Sequence, residues 1–136
     1  MNFELSQKVI GCAMRVHRTL GCGFLEGVYE KALAIELRRT RISFQNQVKL
    51  LVHYRDEVVG KYYADLIINN ELLLELKASK SLDSTGESQL LNYLNASNIQ
   101  VGLLINFGSI SLQFKRMTIA GYEARTRAKR PTDHMD

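Results

Sequence analysis

Three charged residues stand where strand chemistry disfavours them. Asp65, Glu75 and Lys77 lie inside two runs that otherwise read as apolar strands, Val58 to Ile68 and Leu72 to Ala78. In the second run Leu72, Leu74, Leu76 and Ala78 share one face, and Glu75 and Lys77 share the other. In the first, Ala64, Leu66 and Ile68 share a face and Asp65 takes the opposite one. Two carboxylates that face each other repel unless a cation sits between them. Oxygen donors with few protein ligands suit Mg²⁺ or Mn²⁺. A lysine two residues along the same face reaches an attacking water or a phosphate oxygen. Asp with Glu-x-Lys is thus an arrangement for metal-assisted phosphodiester hydrolysis. The same trio also describes a plain ion pair on a sheet surface.

Pairing register tests whether the acids meet. A two-residue loop at Asn69-Asn70 sets Asp65 opposite Leu74. A three-residue loop, Asn69 to Glu71, sets Ile68 opposite Leu72, Leu66 opposite Leu74, Ala64 opposite Leu76 and Asp65 opposite Glu75. A slip of one residue reverses every side chain. Apolar matching and carboxylate matching therefore select the same three-residue loop, unless a nearby bulge does the same job.

Helices must supply the rest. Gln89 and Tyr93, four apart, share a helix face beside the core side of Leu90, Leu91 and Leu94. Glu26 borders an apolar stripe, where a carboxylate needs a partner. Glu30 and Glu36 read as solvated helix charges.

The elements around these residues follow from period and punctuation. Leu5, Val9, Cys12, Val16 and Leu20 form one helical stripe, ended by Gly21 and Gly23. A second helix is expected from Leu25 to Arg39, with Leu25, Val28, Ala32 and Ile35 on one side and Tyr29, Leu33 and Leu37 beside them. The period changes to two at Val48, Leu50, Val52 and Tyr54, a half-buried strand. Arg55-Asp56-Glu57 reads as a turn before the Val58 to Ile68 strand. Ser84 with Glu87 is a capping-box signature for a helix to about Ala96. Val101 to Phe107 reads as a central strand, and Ile110, Leu112 and Phe114 as a last one. The order is α-α-β-β-β-α-β-β: an α/β mixed sheet flanked by helices. The first three strands are expected antiparallel, and strands three and four parallel through the crossover helix.

Composition sets outer limits. The 136 residues make one domain with a tail. A hydrophobic fraction of 46% and a charged fraction of 24% exclude a disordered chain or a coiled coil. Residues 1–114 carry 12 basic and 11 acidic side chains. Residues 115–130 carry Lys115, Arg116, Arg125, Arg127, Lys129 and Arg130 against Glu123. The basic balance is thus a property of the C-terminal end, which either grips phosphates or simply keeps the chain soluble. No run approaches membrane-spanning length, so no membrane partner is expected. Two cysteines, Cys12 and Cys22, without an export signal point to a reduced, cytoplasmic setting. His17, His53 and His134 have no metal spacing.

Ordered motifs connect these pieces. Gly23-Phe24-Leu25-Glu26-Gly27-Val28-Tyr29 fits GxxExxY. Tyr63-Ala64-Asp65-Leu66, Glu75-Leu76-Lys77, Gln89 to Leu94 and Val101 to Gly108 follow in sequence. Over about residues 5–117 the chain resembles the GxxExxY family of the PD-(D/E)XK nuclease superfamily. The resemblance implies a restriction-endonuclease-like fold over residues 1–117, with residues 118–136 as a basic tail. It implies a Mg²⁺- or Mn²⁺-dependent nuclease acting on nucleic acid, DNA favoured. Asp65 and Glu75 would be metal ligands, with the Leu76 carbonyl, and Lys77 would position the water. Glu26 would be the helix-borne acid, a ligand directly or through water. Gln89 and Tyr93 match a QxxxY motif that supports the site and the nucleic acid, with Tyr29 supporting. Where members often carry His three residues before the Gln, this chain has Gly86. A catalytically silent nuclease-fold module holding nucleic acid or a protein partner is the alternative. A homodimer is compatible with so small a fold acting on duplexes.

Overall fold

The computed structural model describes residues 3–119. Helices α1 (Phe3–Leu20) and α2 (Glu26–Arg39) precede three strands, β1 (Phe44–Tyr54), β2 (Glu57–Ile68) and β3 (Leu72–Lys77). Helix α3 (Ser84–Ser97) then leads to β4 (Val101–Asn106) and β5 (Gln113–Thr118). Of the expected tail, residues 118–136, Thr118 instead ends β5 and Ile119 is buried; the remainder, from residue 120 on, lies outside the described residues.

The strands form one sheet in the order β1-β2-β3-β4-β5. Neighbours run antiparallel except β3 and β4, which are parallel and joined through α3. This is the expected mixed sheet. α1 and α2 cover one face with Leu66, Leu72, Leu74, Leu76, Leu103 and Ile105. α3 covers the other with Ile67, Leu73 and Leu104. Both central strands are therefore apolar on both sides, as a doubly covered sheet requires.

Several expectations are corrected by packing. On α2 the buried side is Tyr29, Leu33 and Leu37, whereas Leu25 is 83% exposed and Val28 and Ile35 also face solvent. Two apolar stripes compete on this helix, and the Tyr29 ring, stacked on Phe107 at 4.7 Å, belongs to the one that wins. Its hydroxyl donates to the Gly21 carbonyl (2.5 Å) and accepts from the Phe24 N–H (3.2 Å), pinning the turn between the helices. Gly21 and Gly23 take φ of 69° and 118° there, conformations that glycine enters freely.

Strand β1 begins earlier than its alternation suggests, and Glu57 belongs to β2, not to the turn. Arg55 and Asp56 alone make the turn, both with positive φ, the two-residue form whose twist suits a hairpin. The cap of α3 is Asp83, not Ser84: its carboxylate accepts from the Thr85 and Gly86 N–H groups. Ile110 is 92% exposed, and the last strand starts only at Gln113.

Asn106, a fully buried polar residue, stands at the end of β4. Its Oδ1 accepts from the N–H groups of Ser79 (2.9 Å) and Gly108 (3.0 Å), and its Nδ2 donates to the Ser79 carbonyl (2.9 Å). The clasp ties the chain after β3 to the chain after β4. A Cβ at Gly108 would stand 2.4 Å from the backbone of Ala78 and Ser79, so only glycine permits the approach.

A kink shapes the β1-β2 hairpin. Phe44, Leu66 and Ile68 pack with α1 and α2, yet Val48, Leu50, Tyr62 and Ala64 pack with α3. Strict alternation would keep these even-numbered residues on one face. Between them Gln47 takes φ of 48°. The expectation that Ala64 shares a face with Leu66 and Ile68 fails here for that reason.

Candidate active site

Strands β2 and β3 separate where the charges begin. Their ladder pairs Ile68 with Leu72, Ile67 with Leu73 and Leu66 with Leu74, then stops. The expected pairings of Asp65 with Glu75 and of Ala64 with Leu76 are not made, but as far as Leu66 this is the register of the three-residue loop. Asn69 and Asn70 supply its positive-φ positions, and Glu71 closes it through a backbone bond to Ile68. Beyond Leu66 the Asp65 side chain replaces the ladder: its Oδ2 accepts from the Leu76 N–H at 2.8 Å.

Glu75 lies beside this fork, 5% exposed. One of its oxygens, Oε1, is buried with no hydrogen-bond partner among the described residues. The other, Oε2, lies 3.6 Å from the Lys77 ammonium. Burial, helped by the nearby negative charge of Asp65, pushes the Glu75 carboxyl up to about 8 against the pull of Lys77. At neutral pH it therefore holds a proton.

Helix α3 orients the lysine. Lys77 Nζ donates to Gln89 Oε1 at 2.6 Å, and Gln89 Nε2 donates to the Tyr93 hydroxyl at 3.0 Å. The Tyr93 ring rests against Tyr62, centroids 5.5 Å apart. Gly86 also lies over the site: a Cβ there would meet Leu104 at 3.2 Å and the Lys77 stem at 3.7 Å. Gly86 is itself buried, so a larger side chain there would press on Leu104 and the Lys77 stem.

From the opposite side α2 contributes Glu30. Gln47 Nε2 donates to Glu30 Oε1 at 2.8 Å and to Asp65 Oδ1 at 3.3 Å, linking helix acid to strand acid. Glu30 is thus no solvated helix charge, which corrects the sequence reading. Glu26, one turn earlier, is exposed and makes no hydrogen bond or ion pair among the described residues. Asp65, Glu75, Lys77, Gln89 and Tyr93 come together, while Tyr29 holds the start of α2 from within the core. Glu30, Gln47 and Asn106 escaped the sequence reading. Only Asn106 left a signal, a lone amide in an apolar strand before Phe-Gly.

The donor set suits a hard cation. Among the described residues no three His, Cys, Asp or Glu side chains form a metal cluster. Mg²⁺ needs only one or two carboxylates, with water and phosphate oxygens for the remainder. The orphaned Glu75 oxygen beside Asp65 fits such an ion.

Residues 3–117 match the PD-(D/E)XK nuclease superfamily, and the chain belongs to it. Nucleases of this superfamily generally use divalent metals and act on nucleic acid. Among solved structures, the crystal structure of SSO0001 is similar, with a TM-score of 0.58 and 21% identity. The likeness covers 68% of this chain and 50% of that one, so this chain spans about half its length, and it speaks to fold alone. No curated protein matches. No described helix is long and apolar enough to cross a membrane.

Proposed function

We propose that the chain is a divalent-metal-dependent nuclease of the GxxExxY type that hydrolyses phosphodiester bonds of nucleic acid, DNA foremost. One observation carries this reading: a buried carboxylate, Glu75, with an unpartnered oxygen, lies between the Asp65 carboxylate and the Lys77 amine. A buried carboxyl with an unpartnered oxygen costs stability, so its placement here supports a role in binding.

Asp65 and Glu75 would hold Mg²⁺ or Mn²⁺. The bound ion would polarise the phosphoryl group and lower the pKa of its water. Asp65 keeps its aim through the Leu76 N–H and Gln47. Lys77, steadied by Gln89, offsets negative charge developing on the phosphate. Glu26 and Glu30 share a face of α2. The motif assigns the helix acid to Glu26, and the contact through Gln47 favours Glu30.

Mg²⁺ titration should raise the melting temperature of the wild type and leave Asp65→Ala unchanged, and no difference between them removes the metal from the account. A cleavage panel of single- and double-stranded DNA and RNA, with Lys77→Ala as control, tests hydrolysis. Metal binding without cleavage would instead support the silent nucleic-acid-binding module, a reading that Gly86 in place of the family histidine favours.

A further inference from the structure

The hairpin beyond the Gln47 kink presents a surface that the site chemistry does not use. Its even-numbered side chains Val48, Leu50, Tyr62 and Ala64 pack toward α3. Its odd-numbered ones face solvent. Lys49 pairs with Tyr63 across the strands, and Leu51 pairs with Lys61. All four are exposed, Tyr63 by 44%. Neither lysine has an ion-pair partner among the described residues. The hairpin's own acids, Asp56 in its turn and Glu57 at the start of β2, lie at its far end, away from the lysines.

This row leads into the fork. Tyr63 stands two residues before Asp65 on β2, about 6–7 Å along the strand. Lys49 stands two residues after Gln47, whose amide touches Asp65. Lys49 and Lys61 are diagonal neighbours, about 7–8 Å apart at their backbones. Their amines can therefore reach neighbouring phosphates of one strand. The exposed ring between them and the acids offers a face on which a base can stack. The row is only two strands wide, which suits a single polynucleotide strand.

We infer that Lys49, Lys61 and Tyr63 form a guide for single-stranded nucleic acid: the two amines hold phosphates, and the tyrosine stacks a base next to Asp65. The inference rests on the nuclease reading of the fork, and it assigns to that site an unpaired substrate and a direction of entry. The favouring observations are charge complementarity, since two unpaired cations stand together, and continuity with Asp65.

The test is fluorescence anisotropy of the full chain with labelled single-stranded and duplex oligonucleotides in EDTA, over a salt series. Lys49→Ala and Lys61→Ala should each weaken single-strand binding several-fold and lower the slope of log affinity against log salt by about 0.7. Tyr63→Ala should cost about tenfold, and Tyr63→Phe should restore wild-type affinity, because stacking needs the ring and not the hydroxyl. Melting temperatures should stay unchanged, as these side chains face solvent. If the wild type binds single strands and all three variants bind equally well, the guide is overturned while the nuclease reading stands. Tighter binding to duplex, with Tyr63→Ala silent, overturns the single-strand assignment. Binding lost in the variants but no metal-dependent cleavage by the wild type keeps the guide and sinks the nuclease. No binding by the wild type overturns the guide, and cleavage then decides the nuclease separately.

Discussion

The fork between β2 and β3 and the outer half of the β1-β2 hairpin share two strands but treat charge in opposite ways. In the fork, Glu75 is buried, Lys77 is held by Gln89, and Asp65 is aimed by a backbone N–H. On the hairpin, Lys49 and Lys61 stand in solvent. Charges fixed in a low-dielectric setting interact strongly and are sensitive to pH. Exposed charges interact weakly with each other, keep their long-range field, and are sensitive to salt. The chain thus separates groups that can act on a phosphodiester from groups that can only hold one.

The largest effect expected of that contrast is on cleavage. Glu75→Gln keeps the shape but cannot bind a cation as an anion, and should reduce metal-dependent hydrolysis at least about a hundredfold. Lys61→Ala should change the turnover rate with saturating substrate far less. Equal losses would erase the distinction between the two regions.

Next in size is a pH effect confined to the fork. Unfolded, the Glu75 carboxyl titrates near 4.5; folded, it is raised to about 8. Between those values the folded chain keeps a proton that the unfolded chain has lost, so stability falls as pH rises. The loss is on the order of a few kcal/mol. Denaturant melts from pH 4.5 to 8 should show this decline in the wild type and not in Glu75→Gln. A metal competes with the same proton, so Mg²⁺ should bind more tightly toward pH 8. A flat stability profile would mean that Glu75 is not buried as described.

Asn106→Ala probes the support beneath the fork. It leaves the Ser79 N–H and carbonyl without their clasp and should cost about 1–3 kcal/mol in thermal unfolding. Smaller still, Gln89→Leu frees the Lys77 amine and should lower cleavage about tenfold with little change in melting. Leu25→Ala, on the solvent side of α2, should alter stability by less than about 0.5 kcal/mol. Leu33→Ala, on the buried side, should cost about 2–5 kcal/mol.

The residues behind these predictions were legible in the sequence to different degrees. Asp65 and Glu75 could be matched from the sequence since apolar pairs fixed the register around them. The same logic failed on α2, where two stripes of similar character ran side by side and only packing against Phe107 chose between them. It failed again at Gln47, whose positive φ has no signature in a glutamine. The role of Glu30 depends on that kink, so it too was hidden.

By itself the sequence determined the element order, the directions of the β1-β2, β2-β3 and β3-β4 pairs, and which two acids and one amine to bring forward as candidates. Those follow from period, turn residues and local matching, which act between near neighbours in the chain. Only the tertiary structure decided which helix carboxylate approaches Asp65, which side of α2 is buried, and where β2 and β3 part. Each of these is a competition between contacts far apart in sequence, and burial settles it.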